Sequence, residues 1–234
     1  MAPRWPYAAT RPPTLLAHRP FRWLWLARLV GQGAQNALIY GLAILVVERT
    51  GSAIHSSSFI LASALFGPLT GLAADRLPKR LVMVAAHGLR AGLCLAYLFY
   101  GKGVWAIYGL NIPFFALSQF QATAEQAAVP AIVPQGRLAA ANAFLNLATL
   151  GGLAVGAGGL APLFLRTVGA DPLLVIATVL FLLAALLTFQ VGSMDSGLAP
   201  RVGRGLWEPL AEGWRALRSD ATAFAAAMDI TLVN

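Results

Sequence analysis

Apolar residues in this chain come in long uninterrupted runs, without the strict alternation of a half-buried strand. Six runs stand out: Phe21 to Val47, Ser56 to Ala74, Leu81 to Tyr100, Val104 to Ala124, Leu138 to Leu165 and Pro172 to Met194. A helix rises ~1.5 Å per residue and the hydrocarbon core of a bilayer is ~30 Å thick, so about 20 apolar residues span it. Each run is predicted to be such a helix. Turn-forming residues fall between them, as in Thr50-Gly51-Ser52, Gly101-Lys102-Gly103, Pro134-Gln135-Gly136-Arg137 and Gly169-Ala170-Asp171-Pro172. The first run is too long for the apolar region of a cleaved signal, and it carries Arg28, Gln32, Gln35 and Asn36. The expected fold is therefore an all-α membrane protein, a six-helix transmembrane bundle over residues 21–194.

Composition sharpens this picture. Of 234 residues, 58% are hydrophobic and 11% charged, against roughly 25% charged in soluble domains. So little charge cannot cover a water-soluble body. The formal net charge of +8 does not point to nucleic acid, because the basic residues sit in short clusters between apolar runs and form no continuous stripe. The lone cysteine, Cys94, lies within an apolar run, and His18, His55 and His87 have no ligand spacing. No nucleophile triad, phosphate loop or carboxylate pair is present, so no catalytic residue, cofactor or metal site is expected.

Lysine and arginine placement sets orientation. Twelve of these residues fall on one side: Arg4, Arg11, Arg19, Arg22, Arg76, Lys79, Arg80, Arg137, Arg201, Arg204, Arg215 and Arg218. Three fall on the other, Arg49, Lys102 and Arg166. Both ends of the six-span unit are thus expected in the cytoplasm. Residues 1–20, rich in proline and arginine, read as a disordered cytoplasmic tail. Residues 195–220 read as a cytoplasmic linker in which Leu206, Trp207, Leu210, Trp214 and Leu217 form one apolar helical face. The apolar stretch 221–234 is too short to span and reads as the truncated start of a seventh helix.

Polar groups inside the spans are the candidate functional residues. Arg28, Gln32 and Asn36 repeat every four residues, with Gln35 beside them. They form a stripe that either lines a substrate cavity or glues helices together. Arg90 lies nine residues past Leu81, ~14 Å along the helix, with His87 on the same face. A transport role and a structural partner are both open for Arg90, and a proton site and a satisfied buried imidazole for His87. Glu125 is placed at the cytoplasmic end of its span, where pairing with Arg76, Arg80 or Arg137 would help close a gate. Gly152 and Gly156 have the spacing that permits close helix packing.

The loop between the second and third runs, GLAADRLPKR over residues 71–80, raises a question of its own. A positive anchor needs only Arg76, Lys79 and Arg80. The acid Asp75 faces the unfavourable end of a helix dipole, which implies a specific charge contact. Gly71 would let another helix approach closely.

This stretch resembles the loop between helices 2 and 3 of major facilitator superfamily transporters. Gly71, Asp75, Arg76, Lys79 and Arg80 fall on its defining positions, with Ala73 and Pro78 as departures. The stretches FRWLWLARLVGQGAQNALIYGLAILVVERTGSA, FQATAEQAAVPAIVPQGRLAAANAFLNLA and LWEPLAEGWRAL resemble the bacterial exporter branch that includes enterobactin and macrolide efflux proteins. Ala34 and His87 depart from it, where an acid is common. The resemblance implies the N-terminal half of a major facilitator fold, working by ion-coupled alternating access in the bacterial inner membrane. Its implied partners are a drug- or siderophore-like small molecule, protons, the lipid bilayer, and a missing C-terminal half or a second copy. It assigns the loop residues to a conformational switch and supports Arg28, Gln32, Gln35 and Asn36 as cavity residues; His87, Arg90 and Glu125 are candidates for gating or coupling from their place in the spans. The competing expectation is a truncated, non-transporting membrane fragment or scaffold.

Topology is checked by replacing single residues with cysteine. A membrane-impermeant thiol reagent applied outside intact cells is expected to label Lys102→Cys and leave Lys79→Cys unlabelled. External labelling at position 79 would overturn the orientation.

Overall fold

Long apolar stretches become long helices, even where one takes in Pro113 and Pro130, and the computed structural model is built of them. It describes residues 14–51, 77–100, 103–192 and 194. By internal packing the chain divides into units 1–198 and 199–234, the second of which lies wholly outside the described residues. Helix α1 spans Arg19–Thr50, with a proline in its first turn where the missing N–H costs nothing. It stops at Gly51, whose φ of 66° favours glycine, and whose N–H donates to the Val47 carbonyl. Helix α2 covers Lys79–Tyr100 and α3 covers Val104–Ile132. Helix α4 runs over Leu138–Leu153, passes into a π-helical stretch at Ala154–Leu160, and resumes as α5 at Ala161–Thr167. Helix α6 is Ala170–Phe189.

Among the described residues there is no strand, and four helices are long and apolar enough to cross a membrane: Arg19–Glu48, Lys79–Tyr100, Gln135–Thr167 and Ala170–Phe189. Helix α3 is formed where the fourth run was expected, but it is not among these four. Asn111, Ser118, Gln119, Gln121, Glu125 and Gln126 interrupt it. The second expected span lies outside the described residues, as do the amphipathic stretch at 206–218 and the residues after it.

Two boundaries differ from expectation. Helix α3 continues to Ile132, because Ala127, Ala128, Val129 and Ile132 extend its apolar face beyond Glu125. Glu125 is therefore two turns inside the helix and not at its end. Helix α6 stops at Phe189, ahead of Gly192, whose φ is 89°.

The π-helical stretch has a local cause. Pro162 cannot donate to the Gly158 carbonyl and its ring crowds it. Gly156, Gly158 and Gly159 make the preceding turn pliable. The ladder widens, so that the Ala161 N–H reaches back to the Gly156 carbonyl.

Helix α1 is the shared wall of the bundle. It packs on α6 on one side and on α4 with the π-helical stretch on the other, while α2 packs between α6 and α3. The approach to α4 is very close. A Cβ at Gly152 would stand 2.6 Å from the Gln32 Cβ and 2.8 Å from the Gly33 nitrogen. One at Gly156 would overlap the Gly33 carbonyl. Glycines at these two positions let the backbones meet, as their spacing suggests.

Two apolar clusters form at different heights. One gathers Phe21, Leu24, Met83, Ala124, Val129, Leu145 and Met194. The other gathers Ala34, Leu38, Cys94, Ile107, Phe114 and Phe181. Between the two clusters α1 carries Arg28 and Gln32, α2 carries His87 and Arg90, and α3 carries Ser118 and Gln121, with Glu125 at the edge of the first cluster. A polar belt thus crosses the bundle between two apolar layers.

Gly156→Ala is expected to lose about 1–3 kcal/mol of stability through overpacking against α1. Gly158→Ala, whose new methyl would meet nothing within 4 Å, is expected to be tolerated. Thermal unfolding of the purified variants in detergent, followed by tryptophan fluorescence, compares them.

Candidate functional site

Arg28 is placed by its neighbours on α1. Leu24 and Ala27 are buried on one apolar face, and Trp25 donates its indole N–H to the Phe144 carbonyl of α4 at 2.8 Å. This pins the helix rotation so that Arg28 emerges between α3 and α4. Its Nε donates to Thr149 Oγ1 at 2.8 Å and its Nη1 to Glu125 Oε1 at 2.7 Å. The ion pair is asymmetric: the Arg28 side chain is 20% exposed and Glu125 only 1%. Among the described residues the partner of Glu125 is Arg28 rather than Arg80 or Arg137, because α3 continues past Glu125 and turns it inward; Arg76 lies outside them.

The other carboxylate oxygen of Glu125 accepts from Gln121 Nε2 at 2.9 Å. The Gln121 carbonyl oxygen accepts in turn from Arg90 Nη2 at 2.6 Å. Arg90 is fully buried. Its Nη1 donates to Gln35 Oε1 at 2.9 Å and Ser118 Oγ at 3.3 Å. Its Nη2 stands 3.3 Å from His87 Nδ1. A guanidinium has no acceptor, so His87 accepts there and is the neutral tautomer with its proton on Nε2. Among the described residues that Nε2 has no partner. The guanidinium carbon also lies 4.9 Å from the Phe181 ring centroid and 5.9 Å from that of Phe114, where the negative ring faces offset part of its desolvation. Among the described residues one connected network therefore holds two arginines and a single carboxylate.

Beside Arg28 and Glu125 lies a cavity of about 390 Å³. Gln126 and Val129 of α3 and Asn142, Leu145 and Asn146 of α4 complete its wall. It opens where α3 makes its thinnest contacts with α1 and α4.

The expected polar stripe divides. Arg28 reaches the cavity and Gln35 turns to Arg90. The Cβ atoms of Gln32 and Asn36 lie against Gly152 and Gly156, and the Asn36 amide donates to the Gln32 carbonyl at 2.9 Å. His87, Arg90 and Glu125 join one network with Arg28 and Gln35. Gly71, Asp75 and Arg76 lie outside the described residues. Lys79 and Arg80 begin α2, and Arg80 Nη2 donates to the Phe189 carbonyl at 2.7 Å while its guanidinium lies 4.0 Å from the Phe189 ring centroid. A cation there faces the negative end of α6. Ser118, Gln121, Gln126, Asn142, Asn146 and Thr149 were not singled out from the sequence. Their signal was present as helical spacing: Ser118, Gln121 and Glu125 share one face of α3, and Asn142, Asn146 and Thr149 one face of α4.

Apolar helices of spanning length, wrapped around a buried polar network that borders a polar cavity, define a multi-pass membrane protein of the transporter class. The Major Facilitator Superfamily model matches residues 24–232, and the chain belongs to that superfamily, whose members are transporters rather than enzymes. A comparison with curated proteins finds no match.

A double-mutant cycle tests the ion pair. Arg28→Met and Glu125→Leu each orphan a charge, so each is expected to destabilise more than the two together. The coupling energy read from thermal unfolding should reach about 0.5–3 kcal/mol. Additive losses would show that the pair does not interact.

Proposed function

We propose that the chain is part of an exporter that moves a small drug- or siderophore-like molecule out of the cell by ion-coupled alternating access. The reading places it in the bacterial inner membrane with its N-terminus in the cytoplasm. The observation that carries it is the Arg28–Glu125 pair. One partner faces a cavity of ligand size, and the other passes through Gln121 to a second, fully buried arginine. Cavities of about 300–1,000 Å³ suit small molecules. In this reading Glu125 is the coupling group. When it takes up a proton its hold on Arg28 weakens, and the contact between α1 and α3 is released. Arg90 keeps α2 and α3 together through the change by its neutral partners. The remaining wall of the cavity belongs to a second bundle, either a further part of the polypeptide or a second copy. The exporter resemblance of the first, fourth and fifth runs supports the direction. Arg80 against the end of α6 supports a switching role for the charged loop, in which Gly71, Asp75, Arg76 and Lys79 share.

Everted membrane vesicles containing the protein, energised to an acidic interior, test the reading with a panel of fluorescent drugs and catechol siderophores. Saturable accumulation that collapses with a protonophore and in Glu125→Gln is the expected result. Accumulation indifferent to the protonophore would overturn the coupling, and none above vesicles lacking the protein would overturn export.

A further inference from the structure

Which sign of charge the cavity accepts is decided by which member of the ion pair it can touch. Glu125 is 1% exposed. Both its oxygens are taken, one by Arg28 and one by Gln121. Buried in this way, the carboxylate is out of reach of a cation entering the cavity, which meets the exposed guanidinium of Arg28 first. Arg28 is 20% exposed. Its Nε and Nη1 are engaged, and among the described residues its Nη2 has no protein partner. A guanidinium donates five hydrogens in a planar fork and accepts none, so Nη2 offers free donors for an anionic oxygen.

Two further observations agree. Among the described residues the network around the cavity contains Arg28 and Arg90 against Glu125, an excess of one positive charge in a low-dielectric region, which favours a compensating anion. Asn142, Asn146 and Gln126 are exposed on the cavity wall. Their amide N–H groups supply neutral donors to the same ligand, and Val129 and Leu145 supply an apolar surface.

We infer that the cavity takes an amphiphilic organic anion, whose acidic group is held by Arg28 Nη2 and the carboxamides of Asn142 and Asn146 while its apolar part lies against Val129 and Leu145. This rests on the reading of the cavity as the transport site. The Arg28–Glu125 pair stays intact when the ligand binds. The anion adds to the exposed side of the guanidinium and neutralises the excess charge. A neutral or cationic molecule of equal size lacks that term.

The test uses the purified full chain in nanodiscs of zwitterionic lipid and three probes with one ring system: 2-naphthoate, 2-naphthamide and 2-naphthylmethylamine. Equilibrium dialysis measures their binding to the wild type, to Asn146→Leu, which removes a carboxamide donor and narrows the cavity without touching the ion pair, and to the double variant Arg28→Gln/Glu125→Gln. The double variant removes both charges and orphans neither. The expected result is naphthoate bound about tenfold tighter than the amide, the difference that a charge-assisted hydrogen bond supplies. That preference should vanish in the double variant, and all specific binding should fall in Asn146→Leu. If Asn146→Leu abolishes binding but naphthoate is no better than the amide, or the amine binds best, the anion assignment is wrong and the cavity stands. If no probe responds to Asn146→Leu, the cavity is not the binding site and the reading beneath the inference falls with it. Where the double variant does not fold, the wild-type comparison of the three probes decides the sign by itself.

Discussion

A guanidinium cannot be left bare in hydrocarbon, and Arg90 is buried without exposure at the middle of this bundle. The cost of that burial organises the elements around it. Five polar atoms and two ring faces are drawn from four helices to satisfy one side chain. Gln35 comes from α1, His87 and the Ala86 carbonyl from its own helix, Ser118 and Gln121 from α3, and Phe181 from α6. Each helix must sit at a fixed rotation for its contribution to arrive. Polar contacts between membrane helices are individually modest, averaging ~0.6 kcal/mol. Their effect here is to set register, since a helix turned away would leave a buried charge unpaired. The apolar layers above and below supply packing without such directionality.

The cavity follows from the same arrangement. Glycines at 152 and 156 bring α4 onto α1 at backbone distance, which places Thr149 within reach of Arg28. Helix α3 is held to α1 through Glu125 on Arg28 and Ser118 on Gln35, and makes few contacts with α4. Where close packing on one side meets thin packing on the other, space remains. The polar belt reaches that space at its edge, so Arg28 is both a member of the buried network and its exposed end.

Helix α6 carries two contacts that tie the ends of the bundle to its middle. Phe181 lies under Arg90, and two turns on, the Phe189 carbonyl accepts from Arg80. The Arg80 bond satisfies one of the open carbonyls at a helix end and places a positive charge against the dipole. The first residues of α2 therefore hold the last turn of the helix on which Arg90 rests.

Much of the class of this protein lies in the sequence itself. Runs of apolar residues as long as a bilayer is thick admit only helices, because backbone groups in hydrocarbon must bond within their own segment. The close approach at Gly152 and Gly156 was legible for a similar reason: small residues spaced by one turn allow it wherever they occur. The polar residues of α1 were visible too, but not their division. Spacing groups Arg28, Gln32 and Asn36, whereas the fold sends Arg28 to α3, sets Gln32 and Asn36 against glycines, and gives Arg90 the neighbouring Gln35. The partner of Glu125 was equally beyond the sequence, since Arg28 lies 97 positions away and only helix packing brings them together. Periodicity fixes which residues share a face of one helix. Which face meets which neighbour is decided by the packing of all the helices at once, where the burial of one arginine constrains every other choice.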